Sequence, residues 1–452
     1  MRVSAGRWVL RFLRLLVGSS VVIVGFTAVM GGTCDASSVG SPRALPSHEV
    51  GFDAAVGRDG YAVVAYLGVD QDFPDAKAVY ARVRLPGRSR FGASHLMGVT
   101  SGKYVTVEIG SSGLTLLAFS ERDGQVVIEE RRPTSGWRFA QRLPGLGDPE
   151  VSISIARDET AVAYSVDFRQ PGDLVNRVHA SVRSAFSGQF DRWQYVSFYG
   201  DTVGGPAAAV ALWGGHATVV WGSSCGDGRE RSLWEADLGY SSSTFPVGMA
   251  DIACDVSYVD LQKDSMANEY LAAGGSSGVW FDVRPAHEIF GHLVKIRGSS
   301  EMGEGPFLSV TPDGLAVLLW EDRKSGSRQR PGYRYVLSTR GSRPTGPMRM
   351  AAPASTAGCG NPRLRGTAPL PRGRIAMMFT QRCRVAGKPR DRISIYNWRV
   401  GTEFARPAAV KSLKAGQRLL RPRVETSSSG SELLWWGAKS AKTGRFLGYR
   451  WR

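Results

Sequence analysis

The chain has 452 residues, of which 42% are hydrophobic, and a formal net charge of +17. This length and apolar content provide an ample core, and the absence of a Pro/Ser linker or charge block excludes several domains after the N-terminal segment. Helical periodicity is hard to find after residue 35, and the 55 glycines and 23 prolines are typical of a turn-rich β-protein.

The N-terminal segment has the composition of a targeting signal. Four arginines between residues 2 and 14 precede an uncharged stretch from Leu15 to Cys34. This pattern predicts an export signal over residues 1–36, cleaved after Ala36. One alternative is an uncleaved membrane anchor over residues 15–34, because about twenty uncharged residues can just cross a bilayer. Another is lipid modification of Cys34. We expect a secreted or cell-envelope protein whose residues 37–452 form a single domain.

The remainder of the chain repeats one hairpin pattern. In the clearest copy, residues 305–320, two extended runs flank Asp313-Gly314, which predicts a two-residue turn, and the second run ends at Trp320. A weaker copy occupies residues 256–275. The other copies end at Tyr66, Phe119, Tyr164, Trp221, Phe379 and Trp436. We predict that these terminal aromatic side chains are core residues that wedge between neighbouring sheets.

The spacing of the copies predicts the architecture. The units recur every roughly fifty residues, a period typical of propeller blades. A third and a shorter fourth extended run follow each hairpin, which gives four strands per unit. We therefore predict an all-β fold, a β-propeller of seven or eight four-stranded blades. The last unit stops in its third strand, so the segment around Pro42 to Val50 is predicted to supply the fourth and to close the ring by joining the N- and C-terminal strands.

The hairpins VTPDGLAVLLW, GRDGYAVVAY and WGGHATVVW resemble those of secreted sialidase-like and WD40-like propellers. The resemblance covers nearly all of residues 48–452 and is one of architecture. The sialidase turn Ser-x-Asp-x-Gly-x-Thr-Trp is not matched, because Asp313 and Gly314 are adjacent. The Gly-His and Trp-Asp pattern of WD40 blades is not matched either. No position can be assigned to the arginines, tyrosine and glutamate of sialidase catalysis.

Four cysteines remain beside Cys34, an even set that permits three pairings. The propeller fold implies a choice among them, because the loop between the second and third strands and the loop entering the next blade open on the same face. It implies disulfides between Cys225 and Cys254 and between Cys359 and Cys383. Such bonds agree with export to an oxidising compartment.

Two motifs resemble metal sites without having the required spacing. His287 and His292 are five residues apart, whereas two histidines that share a zinc ion on a helix are four apart. The acidic loop with Asp70, Asp72 and Asp75 has Pro74 at a ligand position and no glycine for the sharp turn of a calcium loop. We expect no metal, and no cofactor because no Gly-rich phosphate-binding loop leads from a strand into a helix.

Charged residues are distributed unevenly over the loops between second and third strands. These loops are acidic in the first three units and basic in the sixth to eighth, and in a closed propeller they share one face, which we call the loop face. The alternative is an ordinary solvated rim. The candidate ligand-binding residues are Arg323, Arg330, Arg382, Arg384, Lys388 and Arg390.

Three functions are compatible with these features. The first is a monomeric binding scaffold whose loop face holds an anionic glycan, a wall polymer or a protein, with membrane contact through the N-terminal segment alone. The second is a sialidase-like glycoside hydrolase or other polysaccharide-cleaving enzyme with a carboxylate pair in the central channel. The third is a structural cell-surface protein. The scarcity of histidine and the absence of a nucleophile motif favour the first or third. Nucleic acid is not expected as a partner of an exported protein.

Overall fold

The computed structural model describes the backbone of Arg43–Pro46 and most of residues 51–451. The residues left undescribed are 1–42, 47–50, 70–76, 101, 103, 144–149, 168–176, 198–206, 223–231, 241–246, 252–255, 276–277, 286–287, 289, 291–292, 297–305, 323–331, 351–352, 354, 356, 403, 405–406, 408, 415–416, 427–431, 441–443 and 452. The predicted signal or anchor, Cys34, the acidic loop at Asp70 and the His287/His292 pair lie outside the described residues. Within the described part of the chain, no helix is long and apolar enough to cross a membrane.

The described residues form 32 β-strands and short turns. The first thirteen strands are β1 (Arg43–Pro46), β2 (Phe52–Val56), β3 (Ala62–Val69), β4 (Lys77–Arg84), β5 (Ser94–Thr100), β6 (Val105–Ile109), β7 (Thr115–Ser120), β8 (Val126–Arg131), β9 (Arg138–Leu143), β10 (Glu150–Ile155), β11 (Ala161–Asp167), β12 (Arg177–Arg183) and β13 (Gln194–Tyr195). The next twelve are β14 (Ala207–Leu212), β15 (His216–Gly222), β16 (Ser232–Gly239), β17 (Val247–Asp251), β18 (Val256–Lys263), β19 (Glu269–Gly275), β20 (Gly278–Arg284), β21 (Val294–Lys295), β22 (Phe307–Val310), β23 (Leu315–Asp322), β24 (Gly332–Thr339) and β25 (Met348–Met350). The last seven are β26 (Arg363–Leu370), β27 (Arg374–Val385), β28 (Lys388–Arg399), β29 (Ala409–Ser412), β30 (Gln417–Thr426), β31 (Glu432–Ser440) and β32 (Gly444–Trp451).

These strands form eight four-stranded antiparallel sheets. Sheets 1 to 7 each take four consecutive strands, beginning with β2–β5 and ending with β26–β29. Sheet 8 contains β30, β31, β32 and, at its outer edge, β1, which pairs with β32 from Arg43 opposite Tyr449 to Pro46 opposite Phe446. The predicted completion of the last unit by a segment from the start of the chain is therefore confirmed.

The sheets are arranged in a ring within Pro42–Arg452, which forms one compact unit. The first strand of each sheet contacts the first strand of the next, and β30 of sheet 8 contacts β2 of sheet 1. One apolar cluster lies between each pair of neighbouring sheets. The cluster between sheets 8 and 1 contains Phe52 and Trp435, whose rings are 4.2 Å apart. The fold is a β-propeller of four-stranded sheets, as the repeats predict.

Burial explains why the second strand of each unit is the most apolar. This strand lies in the middle of its sheet and faces a neighbouring sheet on both sides, so both sets of alternating side chains are buried. In β19, for example, every residue from Glu269 to Gly275 is buried. The aromatic residues that end the hairpins are all buried, from Trp221 and Trp320 with no exposed surface to Tyr164 at 8% exposed. Their prediction as core residues is confirmed.

The turn after β22 differs from the predicted two-residue turn. Val310 pairs with Ala316, and the Gly314 N–H donates to the Thr311 carbonyl at 2.9 Å. Gly314 has φ = 84°, so the connection is a type I turn followed by a left-handed residue, a longer hairpin loop than two residues. The prediction was wrong because an Asp-Gly pair fits both turn types, and the register of the flanking strands decides between them.

Candidate functional site

The predicted ligand-binding residues lie partly on one hairpin of sheet 7. Arg382 and Arg384 are in β27, and Lys388 and Arg390 are in β28. Arg323 and Arg330 lie outside the described residues, between the end of β23 and the start of β24. Two strands of 12 residues each form this hairpin. We call residues 381–392 the basic hairpin.

Local turn chemistry explains the shape of the basic hairpin. Val385 pairs with Lys388, so the turn consists of Ala386 and Gly387 alone. Their φ angles are 49° and 74°, the positive values that a two-residue type I′ turn requires at both central positions. This turn follows the right-handed twist of the strands and allows the pairing to continue to the tip. Arg382, Arg384 and Lys388 are exposed there, and Arg390 is half-buried.

The cross-strand register divides the basic residues between two faces. Residues directly opposite each other in an antiparallel pair share a face, and adjacent residues in a strand do not. Arg382 pairs with Asp391, and Arg384 pairs with Pro389, so both arginines lie on one face, which we call face A. Lys388 and Arg390 lie on the opposite face with Cys383 and Val385, which we call face B. The sequence predicted that these four residues lie close together, but it did not predict that they divide between two faces.

A disulfide joins the basic hairpin to the segment that enters sheet 7. Cys359 and Cys383 are bonded, as predicted. Backbone hydrogen bonds flank the disulfide, from Gly360 N–H to the Arg382 carbonyl at 2.9 Å and from Arg384 N–H to the Gly358 carbonyl at 2.8 Å. Glycines thus oppose both face A arginines, which leaves these side chains uncovered on that side. The predicted Cys225–Cys254 pair lies outside the described residues.

Removing this disulfide is expected to destabilise the fold without preventing strand pairing. Its cysteines are 24 residues apart, and a loop of this length constrains the unfolded chain by about 3 kcal/mol. We expect the Cys359→Ser/Cys383→Ser variant to lose about this free energy of unfolding in urea denaturation. A peptide map of the unreduced wild-type protein should contain a Cys359–Cys383 peptide, and a map with Cys383 joined to Cys225 would contradict the sheet arrangement.

The first strands of the sheets form the inner edges that surround the central channel, and polar side chains join the first strands of neighbouring sheets. Arg423 of sheet 8 and Asp53 of sheet 1 form an ion pair of 3.3 Å across the closure of the ring. Further hydrogen bonds run from polar side chains of first strands to the next sheet, mainly to its backbone N–H groups. These bonds link Asp53 to the Val107 N–H (2.9 Å), Ser154 to the Ala211 N–H (3.2 Å), Gln262 to the Val310 N–H (3.1 Å) and Ser309 to Thr367 (2.7 Å).

Lys263 occupies an exceptional position among these first strands. It is the last residue of β18, where the corresponding last residues of β6, β10 and β22 are Ile109, Ile155 and Val310. Its ammonium group donates to the Ile155 carbonyl at 3.1 Å and to the Ala211 carbonyl. The side chain therefore crosses from sheet 5 to sheets 4 and 3 at the mouth of the channel.

The charge of Lys263 is linked to that of a carboxylate on sheet 2. Burial raises the pKa of Glu108, although Lys263 and a hydrogen bond from the Ile155 backbone oppose this shift. Burial lowers the pKa of Lys263, and the negative charges of Glu108, Glu269 and Asp158 oppose that shift. Both groups are therefore closer to neutral near physiological pH than free side chains would be.

Two further carboxyl groups line the channel near Glu108. Burial and the neighbouring Asp53 and Glu108 raise the pKa of Glu425 to about 8, against the opposing charge of Arg423. Burial raises the pKa of Asp53 also. The enzyme alternative requires carboxyl groups in this channel, and Asp53, Glu108 and Glu425 are carboxyl groups on first strands. Asp53 is already used in an ion pair with Arg423 and a hydrogen bond from the Val107 N–H. Cleavage of a polysaccharide stays a prediction.

A cavity of about 320 Å³ lies at the channel mouth, with Lys263 in its wall. It is lined by the ends of first strands and by the turns that follow them in sheets 2, 3 and 5 to 8. Pro371, in the turn before β27, belongs to this lining, so the cavity and the basic hairpin lie at opposite ends of sheet 7. Sequence reasoning missed this site. The available signal was a lysine at a hairpin position that is otherwise mostly aliphatic.

Among the described residues, no group of three or more His, Cys, Asp and Glu side chains is arranged to hold a metal ion. Neither site contains a described histidine or thiol, since Cys383 is in a disulfide.

Comparison with known proteins finds similarity in fold. No protein-family model matches the chain, and no curated protein matches its sequence. Among solved structures, the β-propeller domain of the trilobed protease from Pyrococcus furiosus is similar with a TM-score of 0.41 and 8% identity, over 83% of this chain and 98% of that one. An ulvan lyase of polysaccharide lyase family PL25 has a TM-score of 0.43 and 10% identity, over 90% and 95% of the two chains.

An acylaminoacyl peptidase from Pyrococcus horikoshii is also similar, with a TM-score of 0.43 and 10% identity. The alignment covers 88% of this chain and 58% of the peptidase. By their names, these proteins include a protease, a peptidase and a polysaccharide lyase, and the similarity extends to the propeller fold and no further.

Proposed function

We propose that this protein is an exported or cell-envelope binding scaffold that holds an anionic polymer, such as an acidic glycan or wall polymer, through the basic hairpin. The observation that carries the proposal is the exposure of Arg382, Arg384 and Lys388 on a hairpin tip that a disulfide holds in place. A rigid tip loses little conformational freedom on binding, which favours affinity.

Face A is the better candidate contact surface. Arg382 and Arg384 lie two residues apart on it, a spacing of about 7 Å along a strand. Asp391 opposes Arg382, but its carboxylate accepts the Leu419 N–H of sheet 8 at 2.9 Å and is held by that bond. Arginine matches the planar geometry of carboxylate and sulfate groups through paired N–H donors. Arg323 and Arg330, which the sequence predicts to belong to the same surface, lie outside the described residues.

Export is part of the same proposal. The N-terminal pattern of residues 1–36 supports it, and so does the disulfide, since such bonds persist mainly in oxidising compartments. Whether residues 15–34 are removed or retained as an anchor determines if the scaffold is free or tethered to the membrane.

Replacing Arg382 and Arg384 by serine is expected to weaken retention on immobilised polygalacturonate. Two exposed charges that each contribute about 0.5 to 1 kcal/mol to binding correspond to a loss of about tenfold in affinity. Wild-type binding should weaken steeply with added salt, because the Debye length is about 8 Å at physiological ionic strength. The melting temperature should stay nearly constant.

Two matched variants separate a specific surface from general basicity. Lys388→Ser/Arg390→Ser removes equal charge from face B, and Arg88→Ser/Arg343→Ser removes it from exposed turns between third and fourth strands. We expect a smaller loss for face B and the smallest loss for the turn variant. Equal losses for all three pairs would mean that the protein is merely basic, and no loss for any would reject polyanion binding. Arg183 is unsuitable as a control because it is 4% exposed and paired with Glu130.

A further inference from the structure

We propose that Lys263 is a nucleophilic amine that captures small aldehydes and ketones as an imine in the cavity at the channel mouth. This inference is independent of polyanion binding, since the cavity and the basic hairpin lie at opposite ends of sheet 7.

The cavity fits a small, largely apolar ligand. Its volume of about 320 Å³ is within the range of small-molecule sites. Aliphatic side chains and prolines provide much of the wall, including Ile109, Ile155, Val310, Leu370 and Pro312. The ligand would therefore gain affinity by burying its hydrocarbon part and would need one polar group at the lysine.

The hydroxyl groups in the wall are already used as donors. Ser265 donates to the Pro312 carbonyl at 2.5 Å, and Ser111 donates to the Arg157 carbonyl at 3.4 Å. Thr426 donates to the Pro369 carbonyl. Each hydroxyl has one proton to donate, so these side chains can offer a ligand only acceptor atoms. Lys263 is therefore the lining group best placed to react with a carbonyl carbon.

The two hydrogen bonds of Lys263 suit an amine as well as an ammonium group. Its nitrogen donates to the carbonyls of Ile155 and Ala211. A neutral amine has two N–H bonds and one lone pair, so both hydrogen bonds can persist after loss of a proton. The lone pair then takes the tetrahedral position that the two carbonyls do not occupy, which preorganises the nitrogen as a nucleophile.

Burial keeps a fraction of Lys263 neutral against the pull of the surrounding negative charges. Burial lowers its pKa, while Glu108 of β6, Glu269 of β19 and Asp158 of the turn after β10 favour the charged form. Glu269 forms an ion pair with Arg284, which weakens the effect of its negative charge on the pKa of Lys263. Arg157 and Asp264 also line the cavity. Desolvation in a largely apolar pocket is a common way to activate a lysine for imine formation.

The reaction needs no oxidant or reductant. The lone pair of Lys263 forms a C–N bond to the carbonyl carbon, the C=O π pair moves to oxygen, and a proton passes from nitrogen to oxygen through solvent. The resulting carbinolamine loses its hydroxyl group as water with one proton from solvent, as the nitrogen lone pair forms the C=N bond. The products are a protonated imine and water.

Reductive trapping in the full-length protein tests this inference. The protein is incubated at pH 7 with benzaldehyde and sodium cyanoborohydride, which reduces the imine to a stable benzylamine, and modified lysines are identified by peptide mapping. We expect Lys263 to be modified at least about tenfold faster than the exposed Lys388, because each unit of pKa lowering increases the neutral fraction of a lysine about tenfold. Equal rates, or a label confined to exposed lysines, would overturn the proposal.

Two variants link the label to the cavity and its charges. Ser265→Trp places a bulky side chain at the cavity and should slow modification of Lys263 at least fivefold while leaving Lys388 unaffected. Glu108→Gln removes a negative charge that favours the ammonium form, so the rate at Lys263 should rise about threefold at pH 7.5. A rate that falls in Glu108→Gln, or that is unchanged in Ser265→Trp, would contradict the proposal. Both comparisons use Lys388 in the same molecule as reference, so partial unfolding would be recognised by altered labelling there.

Discussion

Replacing Arg284 by methionine is expected to lower the free energy of unfolding by about 3 to 5 kcal/mol at pH 8, because it leaves buried carboxylates without their cation. Arg284 is 2% exposed and lies between sheets 4 and 5. Its Nε donates to Glu269 at 2.8 Å, its Nη2 donates to Thr218 at 2.8 Å, and its Nη1 is paired with Glu235. Its guanidinium carbon lies 4.0 Å from the centre of the Phe290 ring.

The loss should depend on pH. Burial, together with the charges of Asp237 and Glu269, raises the pKa of Glu235 to about 8 despite the opposing charge of Arg284. Burial raises the pKa of Glu269 as well. At pH 5, well below the pKa of about 8, Glu235 is protonated in the folded protein, so the absence of the arginine leaves less uncompensated buried charge than at pH 8. We expect the loss in Arg284→Met to shrink to about 2 kcal/mol or less at pH 5, the remainder being lost packing and hydrogen bonds.

The wild-type protein should show the corresponding trend. A carboxyl group whose folded pKa exceeds its unfolded value, about 4.3 for glutamate, makes the folded state bind more protons. Its stabilising contribution is complete below pH 4 and is lost as the pH rises through about 8, the pKa of Glu235. Glu235→Gln keeps the side-chain shape and removes this titration, so its stability should vary less between pH 5 and 8.

Urea unfolding at the two pH values measures these effects. Arg343→Met, at an exposed turn residue, is the matched control and should change stability by less than about 0.5 kcal/mol. An equal loss in Arg284→Met at both pH values would show that the arginine acts by packing alone.

Replacing Trp320 by alanine is expected to cost about 3 to 5 kcal/mol of unfolding free energy, the usual range for a large aromatic residue removed from a packed interior. Trp320 has no exposed surface and packs in the cluster between sheets 5 and 6 with Tyr270, Phe281 and Leu308. The sheets on either side are held by their own hydrogen bonds, so the cavity left by the indole can close only in part.

Trp213 provides the matched control for this substitution. It is 44% exposed, in the turn between β14 and β15, and Trp213→Ala should cost less than about 1 kcal/mol in the same urea unfolding experiment. A Trp320→Ala variant as stable as wild type would mean that the indole is not in the core, and would favour a role in stacking on a ligand.

The candidate sites were predictable to different degrees. Arg382, Arg384, Lys388 and Arg390 could be assigned to one loop because they are close in sequence and charged. Their division between face A and face B could not, because it depends on whether the turn contains two residues or more, and a shift of one residue reverses every side chain. The cavity was not predicted, since its wall combines residues from six sheets.

The sequence by itself determined the repeated hairpins and the aromatic core positions, because alternation, turn residues and a constant repeat act over short distances along the chain. The closure by a strand from the start of the chain and the pairing of Cys359 with Cys383 were predicted only through the propeller fold that the repeats imply. Only the tertiary structure decided that Lys263 reaches the carbonyl of Ile155, 108 residues away in the chain, and that Arg284 meets Glu235 of the neighbouring sheet. Such contacts arise when the sheets close into a ring, and desolvation at their interfaces then sets the charge of each group.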